Sequence, residues 1–135
     1  MLKQEIHNYK SYLQYKRRLE ERLEDLWYEL TGVKGIRYDS VHVNYNPSLS
    51  EERRLSLLDK VDYVEGEMQR IDLQIRFVEA VLERLNEEDR KLIDFVLIDN
   101  HTQKEASAKW YLTESAISKR IDTILFKALE TTFKH

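Results

Sequence analysis

The sequence predicts an all-α protein: a long antiparallel or coiled-coil helical pair with an extended arm, followed by a C-terminal three-helix helix-turn-helix unit. Three observations predict it. Only three glycines and one proline interrupt 135 residues, too few breakers for a sandwich or barrel. Charged residues make up 35% of the chain and hydrophobic ones 41%, a mixture typical of exposed helices with a core on one side. Apolar residues recur at three- and four-residue steps along most of the length, the period of a helix face.

The first helix is expected over residues 3–31, where Ile6, Tyr9, Leu13, Leu19, Leu23, Leu26 and Leu30 share a face. Lys16, Arg17 and Arg18 form a short basic cluster on it. They read as a solvated face with pairs such as Lys16 to Glu20 and Arg17 to Glu21, or alternatively as phosphate contacts. Gly32 and Gly35 then stop the helix and Pro47 closes the segment that follows. Within it Val41, Val43 and Tyr45 alternate with Ser40, His42 and Asn44, a strand-like spacing that suggests an extended arm packed on the helices.

Ser48 with Glu51 has capping-box spacing and is expected to open a second long helix. From Leu57 the seam Val61, Val64, Met68, Ile71, Ile75, Val78, Leu82 and Leu85 keeps steps of four and three, a heptad pattern. A helix from Leu49 to Leu85 would be about 55 Å long. Such a seam needs a partner: the first helix folded back on it, a second copy of the chain, or both. Val61, Val64, Met68, Ile71, Ile75 and Val78 are therefore candidate oligomerisation residues, with Met68 read as core filler. Residues 1–85 form the long-helix pair and arm in this reading, and residues 86–135 the three-helix unit.

Asn86 is the expected N-cap of the first helix of that unit, with Glu87, Glu88 and Asp89 in the first turn where acids favour the helix dipole. Leu92, Ile93, Phe95 and Val96 face inward, and Asn100 and His101 end the helix. Two further helices are expected at Gln103–Trp110 and Glu114–Phe133, joined at Tyr111-Leu112-Thr113. Ala106, Ser107 and Ala108 are small enough for the last helix to approach, Trp110 and Leu112 plug the joint, and Thr113 caps the last helix. Ile117, Ile121, Ile124, Ala128 and Leu129 form its inner stripe. Phe126, Leu129 and Phe133 form a second stripe, expected to dock on the long helix of the same chain or on a second copy.

No cysteine is present, which excludes disulfides and thiolate metal sites and fits a reducing cytoplasm. No apolar run approaches the ~20 residues of a membrane span, and the polar start "MLKQEIHNYK" has no signal-peptide core. His7, His42, His101 and His135 are scattered without metal-ligand spacing, and no phosphate-loop, nucleophile-elbow or dinucleotide motif occurs. The reading is of a non-enzymatic cytoplasmic protein without metal or cofactor.

At 100° per residue, Ser115 and Lys119 lie opposite Ile117 and Ile121, with Ser118 and Arg120 flanking them. A helix-turn-helix presents such a face to the major groove of DNA, where Ser and Lys meet base edges and Arg meets phosphates. Candidate DNA-binding residues are Thr102, Lys104, Thr113, Ser115, Ser118, Lys119 and Arg120. Asp122 is out of place on such a face and is expected to pair with Lys119 or Arg120, or to accept from cytosine. The net charge is −3, and residues 101–135 hold only six Lys/Arg against four acids, so one copy supplies little electrostatic affinity and a homodimer is expected. The other reading of the same residues is a hydrated face on an ordinary helical bundle.

From Leu85, the stretch "LNEEDRKLIDFVLIDNHTQKEASAKWYLTESAISKRIDTILFKAL" resembles region 4 of bacterial sigma factors. Asp89-Arg90, Thr102, Glu105, Thr113, Ile117 and Ala128-Leu129 match its pattern. The wider arrangement is similar to phage-encoded late-gene regulators of the ArpU/RinA type, through Gly35-Ile36-Arg37-Tyr38-Asp39, Val41 and Asn46-Pro47. The resemblance implies sequence-specific binding to double-stranded DNA, activation of late or packaging genes, and host RNA polymerase as a further partner. Two residues depart from the pattern: Tyr111 stands where glycine usually takes the left-handed turn, and Arg120 stands at a place often apolar, with Ile121 taking over the packing. The rival expectations are a small-terminase-like DNA-packaging adaptor that forms a ring, and a helical protein-interaction module without DNA contact.

Overall fold

A computed structural model describes residues 2–33 and 44–133. Among them the protein is all-helical, with no strand: α1 Leu2–His7, α2 Tyr9–Thr31, α3 Glu51–Glu83, α4 Glu87–Ile93, a π-helical turn Asp94–Ile98, α5 Gln103–Trp110 and α6 Glu114–Phe133. Most of the expected strand-like arm, with Gly35 to Asp39, Val41 and Val43, lies outside the described residues; Asn44 and Tyr45 at its end form no strand. The single helix expected over 3–31 is divided at Asn8. The division is slight, because the Asn8 N–H still bonds the Gln4 carbonyl at 3.0 Å and its carbonyl accepts the Tyr12 N–H at 2.9 Å.

The chain forms two compact units, Leu13–Leu73, and Met1–Tyr12 with Gln74–His135. The sequence suggested a boundary at residue 85; in the structure residues 1–12 and 74–85 belong with the C-terminal helices. Those segments carry Ile6, Val78, Val81 and Leu82, which are buried together with the inner faces of α4, α5 and α6.

In the Leu13–Leu73 unit, α2 and α3 run antiparallel. The Tyr15 hydroxyl donates to Glu67 at 2.9 Å, Lys16 bonds Asp72 at 2.7 Å, and Arg53 bonds Glu29 at 2.7 Å: as numbers rise along one helix they fall along the other. Leu19, Leu23, Leu26, Trp27 and Leu30 are buried with Leu57, Val61, Val64 and Ile71. Lys16, expected to pair along its own helix with Glu20, thus reaches across to α3. The Gly32 backbone has φ +75° and donates to the Tyr28 carbonyl at 2.7 Å, a left-handed helix end that suits glycine. The Asn46 N–H then returns to the Leu30 carbonyl at 2.7 Å.

Ser48 does not cap α3. Its N–H and hydroxyl both donate to the Asn46 side-chain oxygen, at 3.1 and 2.8 Å, in a turn around Pro47. Ser50 is the cap: its hydroxyl oxygen accepts the Arg53 N–H at 3.1 Å. Pro47, directly before Ser48, favours a turn over a first helical turn, and the helix starts at Glu51.

The heptad seam is filled within one chain. Val61, Val64, Ile71, Ile75 and Val78 are between 0% and 4% exposed, and Met68 is half-buried. These residues, also expected as oligomerisation candidates, are packed within the chain. What α3 leaves outward is a different face, with Leu55 54%, Tyr63 69% and Leu73 67% exposed.

The second unit encloses one core built from Ile6, Val78, Val81, Leu82, Leu92, Ile93, Val96, Ala106, Ile117, Ile121 and Leu125, among others. Burying each large aliphatic side chain contributes roughly 1.5–3 kcal/mol. Asn86 caps α4 as expected, accepting the Asp89 N–H at 2.8 Å. The helix does not continue regularly to Asn100: it widens at Asp94, and the Asp99 N–H bonds the Asp94 carbonyl at 2.7 Å, five residues back. Asn100, with φ 60°, ends it, a left-handed position that asparagine tolerates.

Candidate nucleic-acid interface

α5 is fixed at its start by a reciprocal cap. The Thr102 hydroxyl accepts the Glu105 N–H at 3.1 Å, and the Glu105 carboxylate accepts the Thr102 N–H at 3.1 Å. His101 Nδ1 lies 3.0 Å from the same carboxylate. The Thr102 backbone hydrogen bond, followed by those from the His101 ring and the Thr102 hydroxyl, holds the Glu105 carboxyl below its usual range. His101 also stacks on Phe95, with ring centroids 4.0 Å apart, and Phe95 meets Trp110 edge-on at 5.3 Å. Lys109 lies over both rings of that last pair, at 4.6 and 5.2 Å. These contacts tie the loop before α5 to its last turn.

The joint to α6 is tight. Tyr111 takes the left-handed conformation, φ 56° and ψ 39°, and its N–H bonds the Ser107 carbonyl. The Leu112 N–H reaches the same carbonyl at 3.2 Å, and the Ser107 hydroxyl donates to the Leu112 carbonyl. Thr113 caps α6 by accepting the Ala116 N–H at 3.1 Å. Ala106 is fully buried beside Ile117 and Ile121, so the absence of a larger side chain there lets α6 close on α5.

α6 is consequently held by one face and open on the other. Ser115, Lys119 and Arg120 are exposed, Ser118 is half-buried, and Thr102, Lys104 and Thr113 are exposed nearby. Arg120 approaches Asp89 at 3.7 Å. Asp122, expected to pair with Lys119 or Arg120, instead pairs with Lys3 of α1 at 2.8 Å. This partner is out of reach of sequence reasoning, because only tertiary packing brings residue 3 beside residue 122. Of the second apolar stripe, Phe126 is 70% exposed and Leu129 half-buried; the Phe133 side chain lies outside the description.

Sequence reasoning missed one part of this surface. A cleft of about 540 Å³ runs beside α6, lined by Arg84, Asn86, Asp89, Lys119, Arg120 and Lys127. Lys119, Thr123 and Lys127 follow each other at four-residue steps, a signal present in the sequence. Arg84 joins them only because the end of α3 packs there.

Comparison with protein families, with curated proteins and with solved structures gave no match to this chain. Among the described residues no group of His, Asp or Glu is placed to hold a metal ion, and no helix is long and apolar enough to cross a membrane.

Proposed function

We propose that this protein is a sequence-specific DNA-binding transcriptional regulator that reads the major groove with the first turns of α6. The observation that carries the reading is the α5–Tyr111–α6 joint: Ala106, Ile117 and Ile121 bury one side of the helix pair, while Ser115 and Lys119 stay outward on a capped helix. That is the arrangement in which a recognition helix presents short polar and basic side chains to base edges. The likeness to sigma region 4 and to ArpU/RinA-type phage regulators extends the proposal to activation of phage late or packaging genes, with host RNA polymerase as a partner.

The regulator acts as a homodimer in this proposal, which doubles the phosphate contacts available to a weakly basic reader. Since the α3 seam is filled within the chain, the second copy would use the outward face bearing Leu55, Tyr63 and Leu73.

The test is a selection of bound fragments from the DNA around the protein's own gene, followed by affinity measurements on the selected duplex. Each good base contact contributes about 1–3 kcal/mol of discrimination. Ser115→Ala combined with Lys119→Ala should therefore weaken the selected duplex at least tenfold, with helicity unchanged. Equal affinity of variant and parent for that duplex would remove α6 as the reader.

A further inference from the structure

The cleft beside α6 concentrates positive charge in an acidic chain. Arg84, Lys119, Arg120 and Lys127 line it against a single acid, Asp89, and the net charge of the whole protein is −3. Elsewhere Lys3, Lys10, Lys16, Arg53, Arg70 and Arg90 are each engaged by a carboxylate. Arg84, Lys119 and Lys127 have no acidic partner among the described residues. The one acid present faces Arg120 at 3.7 Å, so its charge is already opposed. The cleft therefore favours an anion.

Its donors are the cations. The Thr123 and Thr131 hydroxyls donate to the carbonyls of Lys119 and Lys127, each at 2.9 Å, and so are committed to their own helix. Below them Ile124 and Ala128 form an apolar floor. Lys119 and Lys127 are separated by two helical steps of four residues, about 12 Å along the axis. That span exceeds a lone phosphate. A DNA strand, with a phosphate at every ~3.4 Å of duplex axis, presents more than one phosphate over such a span.

We propose that this cleft is a phosphodiester-backbone site. Arg84 and Lys127 hold phosphates of one DNA strand, sugar edges lie over Ile124 and Ala128, and Lys119 stands between the strand and the groove read by Ser115. The inference rests on the DNA-reading assignment of α6 and adds to it: the turn that follows α3 becomes part of the nucleic-acid interface, and its contacts are to phosphate and carry no sequence information.

The test uses the full-length protein and its Arg84→Ala, Lys127→Ala double variant, both positions being exposed. Affinity is measured for the selected duplex and for a mixed-sequence duplex across roughly 50–200 mM salt, with circular dichroism to check helicity. Each phosphate contact contributes about 0.9 to the slope of log affinity against log salt. The double variant should lose about 1.8 from that slope, equally on both duplexes. An unchanged slope with retained binding overturns the cleft assignment and leaves the α6 reading standing, as does a loss confined to the selected duplex. Absence of binding to any duplex by the parent protein overturns both. Inorganic pyrophosphate is the small-anion control: if it binds the parent, loses binding in the double variant, and does not compete with duplex, the cleft serves a small anion and the backbone assignment falls.

Discussion

Replacing Tyr111 by glycine should make the protein more stable. Tyr111 holds a left-handed backbone, φ 56° and ψ 39°, which costs an L-residue roughly 1–2 kcal/mol because its Cβ crowds the following carbonyl. Glycine removes that crowding. It also raises the entropy of the unfolded chain, an opposing term of roughly 0.5–1 kcal/mol. The phenol ring contributes little to offset the gain, since the residue is 93% exposed. The difference is a stabilisation of about 0.5–1 kcal/mol, or a thermal midpoint higher by about 2–5 °C for a chain of this size. Urea unfolding followed by circular dichroism reads it directly: the midpoint should rise while the slope stays constant. A midpoint that falls would mean that Tyr111 is not in the left-handed turn, or that its ring packs on something, and the account of the α5–α6 joint would fail.

Gly66→Ala should also stabilise, by up to about 1 kcal/mol, because Gly66 lies inside α3 and an added Cβ would meet nothing within 4 Å. A loss of stability that grows with protein concentration would show that another helix packs closely there. The α5 cap should fail in acid: the folded-state Glu105 carboxyl lies below the ordinary value of 4.5, so its contribution is complete above that pH and is lost as pH falls through the lower folded value. Glu105→Gln should flatten this acid dependence in amide chemical shifts of Thr102 to Ala106; an identical acid profile in the variant would refute the cap's role.

Local chemistry made several elements legible. Asn86 and Thr113 cap α4 and α6 as read, because a cap depends on residues three apart in sequence. Ile117, Ile121, Ile124 and Ala128 are buried as read, because a helical period marks the inward face before any partner is known. The errors arose where two signals competed or distance intervened. Ser48 had capping-box spacing, yet Asn46-Pro47 drew it into a turn and Ser50 took the cap. Lys16 and Asp122 had plausible partners one turn away on their own helices, but Asp72 and Lys3 come closer once the helices pack.

The chain's local pattern by itself determined that this is an all-helical protein, where α4 and α6 are capped, and which face of α6 is apolar. Period and capping are properties of a few neighbouring residues, so they survive without a tertiary context. Only the tertiary structure decided that the α3 seam is closed within one chain, along α2 in its first part and in the C-terminal core from Val78 on. It also decided that residues 1–12 join the C-terminal core and that Arg84 stands beside Lys119 and Lys127. A helix face states that something must cover it and says nothing of what does; that choice belongs to contacts between residues far apart along the chain.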